Sequence, residues 1–133
     1  MASRDLKHLH PLLRPKCEAF LAEAERRGTG VLITCTYRSN AEQDALYAQG
    51  RTAPGRIVTR ARGGQSAHNF LLLDGTPAAK AFDVVPMVDG KPMWDAKHPS
   101  WQVLGAIGLE LGLNWYGAPT AKFREYPHFQ LQE

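Results

Sequence analysis

Three short segments, far apart in the chain, combine histidine and carboxylate side chains in a way that constrains the fold. The first contains His68, the second Asp83, and the third Glu125 and His128. Two imidazoles and one carboxylate are the ligand set of a catalytic zinc ion that keeps a fourth position open for water. Glu125, three residues before His128, is placed to act as the base for that water. We therefore expect the fold to bring His68, Asp83 and His128 to one zinc ion.

The length and charge of the chain limit its class. At 133 residues we expect a single domain, residues 1–133. No apolar run approaches the ~20 residues needed to span a bilayer, and the first residues lack the pattern of a signal peptide. The net charge of +3 and the pI of about 9.0 favour anionic partners, but they do not distinguish nucleic acid from cell wall.

The cysteines and the remaining histidines are expected to be structural. Cys17 and Cys35 are too few for a disulfide framework and lack the spacing of a metal-binding pair. Cys17 falls in a predicted helix and Cys35 in a predicted strand, so we expect two buried, reduced thiols. His8, His10 and His98 fall in an N-terminal segment or a turn and are not expected to bind zinc.

Hydrophobic periodicity and capping residues predict an α+β fold, with a central, mainly antiparallel sheet flanked by helices. Ser39 and Glu42 have the spacing of a capping box at the start of one helix, and Ser100 is expected to cap another that Gly112 ends. The predicted helices are at about 15–27, 40–49 and 100–111, and the predicted strands include 31–37, 113–115 and 128–131.

A β-hairpin is predicted around the turn signal at residues 74–77. Its strands would be residues 70–73 and 81–85. If all four turn residues form the loop, His68 lies directly across from Asp83, with Cβ atoms about 5 Å apart. A two-residue loop would make this contact diagonal on the same face. Both registers permit a shared metal ion.

The segment from Arg51 to Gln65 is predicted to be a loop that contains four arginines. It is either a solvated basic loop or a rim that collects an acidic substrate, since long loops are often functional. Arg38 follows a strand and precedes a helix, a place from which a side chain can reach a cleft. Its planar guanidinium suits a carboxylate or a developing oxyanion, and a structural salt bridge is the alternative.

Three groups of residues in chain order resemble one known family. They are Tyr37-Arg38-Ser39 with Gln43 and residues 46–52; Ser66-x-His68 with Ala81-x-Asp83-Val84-Val85-Pro86; and Gly112-Leu113-x-Trp115 with Glu125-x-Pro127-His128-Phe129. Together they are similar to the zinc D-Ala-D-Ala carboxypeptidase and L-alanyl-D-glutamate endopeptidase family, which includes vancomycin-resistance carboxypeptidases and many bacteriophage endolysins. The resemblance extends from about Leu6 to Gln130.

The chain departs from the family pattern between the first two zinc ligands. The family usually has its Ser-x-His and its aspartate close together, whereas residues 71–80 look inserted between His68 and Asp83. Asp74 is nearer the usual distance and remains an alternative ligand. We prefer Asp83 because its flanking residues match the motif, whereas Asp74 with Gly75 is explained by a turn.

The resemblance implies a small domain of the hedgehog and D-Ala-D-Ala-peptidase type, a zinc ion and a catalytic glutamate. Glu125 stands where endolysins of this group often have aspartate, and both are carboxylates. By the same resemblance Arg38, Ser66 and Gln43 would bind the substrate, although structural roles for them stay open.

The implied function is that of a bacteriolytic, antimicrobial phage endolysin cutting the L-Ala–D-Glu bond of the peptidoglycan stem peptide. We expect a monomer, made in the host cytoplasm, that reaches the wall after the membrane is permeabilised. One alternative is a D-Ala-D-Ala carboxypeptidase or dipeptidase with the same zinc site. Another is a non-catalytic basic domain that binds cell wall or nucleic acid. Regularly interleaved aromatic residues, typical of single-strand binding, are missing from the loop at 51–62, so we expect no nucleic-acid partner.

Overall fold

The computed structural model describes residues 2–119 and 124–132. The helices are α1 Arg14–Arg26, α2 Asn40–Ala48 and α3 Ser100–Glu110; the strands are β1 Gly30–Cys35, β2 Ala81–Val88, β3 Lys91–Pro92, β4 Leu113–Trp115 and β5 His128–Leu131; and two 3-10 turns lie at Leu6–His8 and Ala67–Asn69. Within these described ranges, no helix is both long and apolar enough to cross a membrane.

The strands form one antiparallel sheet around β2. The order is β1-β2-β5-β4, and β3 pairs with the far end of β2. Asp89 and Gly90 join β2 to β3 with φ angles of 52° and 75°, the left-handed conformation of a tight hairpin turn. The predicted α+β fold with a mainly antiparallel sheet is confirmed.

Helices α1 and α3 pack on one face of the sheet, whereas α2 lies on the side of Asp83. Phe20 of α1 packs edge-on against Phe82 of β2 and Phe129 of β5, with ring centroids 5.3 and 4.9 Å away. All three phenyl rings are fully buried. Because side chains alternate along a strand, Asp83 and His128, the chain neighbours of these phenylalanines, emerge on the opposite face. The apolar core therefore fixes where the candidate zinc ligands point.

Two glycines allow α3 to lie directly on the sheet. A Cβ atom at Gly105 would overlap the ring of Trp115 on β4, and one at Gly108 would overlap the ring of Phe129 on β5. Close packing of this kind leaves no room for a methyl group. The position of β5, and with it His128, depends on this contact.

The helix starts differ in how they are capped. At α2 the Ser39 side chain accepts from the backbone N–H of Glu42, and the Glu42 carboxylate accepts from Ser39, which is the predicted capping box. The prediction that Ser100 caps α3 is wrong. Pro99 is the N-cap residue, and the Ser100 hydroxyl lies 2.7 Å from Nδ1 of His98. Pro99 already has helical φ and ψ angles, so α3 begins at Ser100, one residue earlier than it would if Ser100 were the N-cap residue.

The predicted hairpin between residues 70–73 and 81–85 is also wrong. β2 uses both of its edges to pair with β1 and β5, whereas the preceding segment closes on itself through a bridge between Leu71 and Pro77. Ala78 donates to the carbonyl of Phe70 at 3.0 Å. A turn signal predicts that the chain reverses, but it does not determine which strands a buried strand will pair with.

Candidate active site

Three neighbouring strands place Cys35, Asp83 and His128 in a row across the sheet. Cys35 of β1 and His128 of β5 are the register partners of Asp83 on either side of β2. Directly opposed residues in antiparallel strands have Cβ atoms about 5 Å apart and share one face. The residue across from Asp83 is therefore His128, and not His68 as the hairpin predicted.

His68 reaches the same place from the 3-10 turn at Ala67–Asn69. Ser66 begins this turn, and its hydroxyl accepts from the backbone N–H of His68 at 3.1 Å. The Asn69 side chain accepts from the backbone N–H of Ser66 and donates to the carbonyl of Arg38. These contacts fix the turn against the end of β1 and hold the His68 ring in the interior.

Both histidines direct one ring nitrogen at the same carboxylate oxygen. Nε2 of His68 and Nδ1 of His128 each lie 3.1 Å from Oδ1 of Asp83. The other nitrogens donate hydrogen bonds: Nδ1 of His68 to the carbonyl of Thr36, and Nε2 of His128 to Oε1 of Gln130, both at 2.7 Å. When such an imidazole is neutral, with its proton on this outer nitrogen, it has a lone pair on the nitrogen that faces Asp83.

This donor set fits a zinc ion. Two imidazoles and a carboxylate converge, each imidazole in its neutral form offers a lone pair beside Asp83, and each has the outer hydrogen-bond acceptor that zinc-binding histidines usually have. The three side chains that would hold the ion are His68, Asp83 and His128, the set expected from the sequence.

The charges around Asp83 shift its pKa and that of His68 in opposite directions. Burial of His68 opposes its charged form, but the Asp83 carboxylate outweighs this and raises the pKa of His68 to about 10. Burial alone would raise the pKa of Asp83, whereas the charge of His68 and the hydrogen bonds from both histidines hold it well below its usual range. Asp83 is therefore a carboxylate that favours positive charge on its two sides, at His68 and at His128.

Cys35 is nearer to the candidate ligands than its sequence suggested. Its Sγ lies 3.6 Å from Nδ1 of His68 and 3.4 Å from a guanidinium nitrogen of Arg38. Cys35, His68 and Asp83 offer possible ligand atoms within 4.8 Å of one another. Cys35 is a buried free thiol, as predicted, but its neighbours depend on the register of β1 against β2, which no local spacing in the sequence indicates.

Arg38 lies beside Asp83 and is held by Gln43. One guanidinium nitrogen donates to Oε1 of Gln43 at 2.8 Å, and another lies 3.8 Å from Oδ2 of Asp83. Gln43 is completely buried on α2 and donates to the carbonyl of Ala61. Gln43 therefore connects Arg38 to the loop at 51–65. Arg38 is one of the residues that line the cavity of the site.

Glu125 faces the same cavity. This cavity has a volume of about 380 Å³, and its lining includes Arg38, Ser66, His68, Asp83, Glu125 and His128, together with Tyr116 and residues of the loop at 51–65. Burial raises the pKa of Glu125; the charge of His128 counteracts this and that of Asp83 adds to it. The backbone N–H of Glu125 donates to the carbonyl of Tyr116 at 2.9 Å, which anchors the segment before β5.

Asp74, His8 and His98 lie away from the candidate zinc ligands. Asp74 accepts from the backbone N–H of Thr76 in an exposed turn, as expected for a turn residue. His8 lies against the hydroxyl of Ser3 and His98 against that of Ser100. None of these side chains lines the cavity that contains Asp83.

The sequence is similar to known proteins over most of its length. A model of the VanY family, described as D-alanyl-D-alanine carboxypeptidase, matches residues 6–81. Over 131 residues the chain is 37% identical to the peptidoglycan L-alanyl-D-glutamate endopeptidase CwlK of Bacillus subtilis (strain 168), an alignment covering 92% of this chain and 73% of that relative.

Two solved structures have the same fold. The L-Ala D-Glu endopeptidase ChiX of Serratia marcescens matches with a TM-score of 0.56 and 20% identity, covering 99% of this chain and 89% of that one. A mutant of the vancomycin-resistance D,D-pentapeptidase VanY from a VanB-type cassette, in complex with Zn(II), matches with a TM-score of 0.61 and 14% identity, covering 92% and 72%. From the family match over more than half of its length and from the identity to the Bacillus relative, the chain belongs to the VanY D-alanyl-D-alanine carboxypeptidase family.

Proposed function

We propose that the protein is a zinc-dependent peptidoglycan endopeptidase that hydrolyses the L-Ala–D-Glu bond of the stem peptide. The observation that supports this most is the convergence of His68, Asp83 and His128 beside Glu125 in one open cavity. The Bacillus relative named for this activity is similar over 92% of the chain, which favours this bond.

In this proposal His68, Asp83 and His128 hold the zinc ion. Zinc supplies Lewis acidity, which activates water and polarises a carbonyl group. The Zn(II) complex of the VanY neighbour supports the choice of metal. The outer acceptors, the Thr36 carbonyl and the Gln130 side chain, keep both imidazoles in the tautomer that leaves a lone pair for the metal.

Glu125 is the proposed general base and acid. It would accept a proton from the attacking water and deliver it to the nitrogen of the leaving amine. The proposal is supported by the position of its carboxylate in the cavity and by burial, which raises its pKa and makes it a better proton acceptor.

Arg38 and Ser66 are proposed to orient the substrate. Arg38 has a guanidinium at the cavity wall that can bind a peptide carboxylate or the developing oxyanion. Ser66 lines the same wall, although its hydroxyl also caps the turn that holds His68. For Gln43 we now favour a positioning role, because its buried amide is bonded to Arg38 and to Ala61.

We also propose that residues 1–133 act as one catalytic domain, as a monomer, in the lysis of a bacterial host by a phage. The basic balance of the chain suits an anionic wall. In this proposal the protein is made in the host cytoplasm and reaches peptidoglycan after a separate protein permeabilises the membrane. Lysis of cells from outside by the purified protein, and its sedimentation as a monomer, would test these points separately.

A D-Ala-D-Ala carboxypeptidase is the second candidate, because the family model has that description and VanY shares the fold. Digestion of a purified muropeptide with a complete pentapeptide stem distinguishes the two. We expect a fragment that ends in L-Ala and a second that begins with D-Glu, identified by mass spectrometry. Release of free D-Ala instead would establish the carboxypeptidase. Binding of wall or nucleic acid with neither product would favour a non-catalytic domain.

A further inference from the structure

Residues 71–80, between His68 and Asp83, form a closed loop whose two ends lie beside the candidate site. Leu72 donates to the carbonyl of Thr76, and Ala78 donates to that of Phe70. The tip of the loop therefore projects from the fold, whereas Phe70 and Lys80 stay at its base.

The base of this loop is one wall of a groove of about 570 Å³ that adjoins the site cavity. Phe70, Leu71 and Lys80 line it, and Tyr116 and Leu131 are also among its lining residues. The two spaces have five lining residues in common, which are Gln65, Ser66, Ala67, Tyr116 and Gln130. A substrate that crosses the site can thus extend into the groove.

Lys80 is the only charged side chain among the described residues that line the groove. Its backbone is fixed on both sides, because its N–H donates to the carbonyl of Ala67 and its carbonyl accepts from the N–H of Leu131, each at 2.9 Å. Its ammonium nitrogen lies 3.9 Å from the centroid of the Phe70 ring. Cation–π contact of this kind favours one position of a flexible lysine, so the positive charge is held at the base of the loop.

We propose that this groove is a subsite for a substrate carboxylate and that Lys80 provides the positive charge that recognises it. The inference rests on the proposed function and names the group recognised: the carboxylate on the residue that supplies the leaving amine. In the stem peptide D-Glu continues the chain through its side chain, so its α-carboxylate is free and lies next to the bond to L-Ala. In a stem peptide that ends in D-Ala, the carboxylate of that D-Ala is likewise on the residue that supplies the leaving amine. In this proposal the loop at residues 71–80 contributes specificity to the cleft.

Paired substrates test this proposal. One muropeptide has D-Glu at the second position and the other has D-isoglutamine, in which the α-carboxylate is an uncharged amide. A second pair ends in D-Ala or in its amide and tests the other source of the carboxylate.

In one of the two pairs, the zinc-loaded protein should prefer the acid to the amide by about tenfold in kcat/KM, the effect of one hydrogen bond to a charged group. In Lys80→Met, which keeps an apolar stem but removes the charge, the preference should fall to about one, because the loss in kcat/KM is greater for the acid than for the amide.

Lys91→Met is the matched control, since Lys91 is exposed on β3 and does not line the groove. It should retain the preference for the acid. An equal preference in Lys80→Met and in the unaltered protein would overturn the proposal.

A binding measurement separates this inference from the proposed function. Isothermal titration calorimetry with a γ-linked dipeptide that begins with D-Glu, and with its α-carboxamide, needs no turnover. If Lys80→Met removes the preference for the acid in binding while neither muropeptide pair is cleaved, the subsite stands and the proposed reaction fails. If the acid and the amide bind the unaltered protein equally, in this pair and in a D-Ala pair, the subsite fails whatever the protein hydrolyses.

Discussion

Asp83 and His128 stand directly opposite each other on β2 and β5, and Oδ1 of Asp83 lies 3.1 Å from Nδ1 of His128. The same oxygen lies 3.1 Å from Nε2 of His68, which arrives from a turn outside the sheet. One carboxylate is thus the common point of two histidines that are far apart in sequence.

Replacing Asp83→Asn should abolish stoichiometric zinc binding, because the amide has no charge to balance the cation and no anionic ligand remains between the histidines. Asp74→Asn, in the exposed turn, should bind zinc as the unaltered protein does. Metal content after dialysis, measured by atomic absorption, checks both. Loss of zinc in the Asp74 variant instead would show that the ligand has been assigned to the wrong aspartate.

Thr36→Val should weaken zinc binding about tenfold, the lower end of the effect of outer hydrogen-bond partners. The Thr36 carbonyl accepts from His68, and its hydroxyl donates to the carbonyl of Asp5 at 2.8 Å. Valine keeps the shape but loses the bond that fixes this backbone. Competition with a chromogenic chelator measures the affinity. Thr29→Val, at the residue just before β1, serves as the control and should leave the zinc affinity unchanged.

Glu125→Gln should lower the rate of stem-peptide hydrolysis about 10²–10⁴-fold, the usual contribution of a general acid or base. Zinc binding should be retained, because Glu125 is not a proposed ligand. Turnover of a muropeptide and metal content are measured on the same preparation. Glu110→Gln removes an exposed carboxylate that pairs with Arg27 and does not line the cavity, and this variant should hydrolyse the substrate normally. Hydrolysis that persists in Glu125→Gln would exclude Glu125 as the base.

Gly108→Ala should destabilise the fold by about 1–2 kcal/mol. The added methyl group overlaps the Phe129 ring, and overpacking of this kind costs more than the roughly 1 kcal/mol that alanine gains over glycine in a helix. Urea unfolding gives the change in the free energy of unfolding. Gln102→Ala, on the exposed side of α3, should change it by only a few tenths of a kcal/mol. A stabilised Gly108→Ala would mean that α3 does not lie on β5 as closely as described.

The Cys17 thiol should make stability fall at high pH. Burial, with a smaller effect of Glu18, raises the pKa of Cys17 from 9.0 to about 12. Above about pH 9 the unfolded chain releases this proton while the folded protein keeps it, so the contribution is complete below that pH and is lost as the pH rises towards 12. Urea unfolding at a series of alkaline pH values should show a shallower decline for Cys17→Ala than for the unaltered protein. Parallel declines would contradict the assignment.

Local patterns in the sequence predicted much of the scaffold. The stripe of apolar residues in α1, the capping box of Ser39 and Glu42, and the two last strands depend on neighbours a few residues away, and the structure has them close to the predicted positions. The hairpin and the cap at Ser100 failed for the same kind of reason. Residues 70–73 were available to pair with β2, but β2 pairs with β1 and β5. Ser100 was available to cap α3, but its hydroxyl lies against His98.

The sequence by itself determined which side chains are available for the site: two imidazoles, an aspartate and a glutamate, in motifs that resemble one family. Only the tertiary structure decided how they meet. The pairing of β2 with β1 and β5 places Cys35 and His128 on either side of Asp83, and a backbone carbonyl at Thr36 sets the tautomer of His68. Strand register and backbone acceptors arise from contacts between distant segments, and such contacts leave no periodic trace in the order of the amino acids.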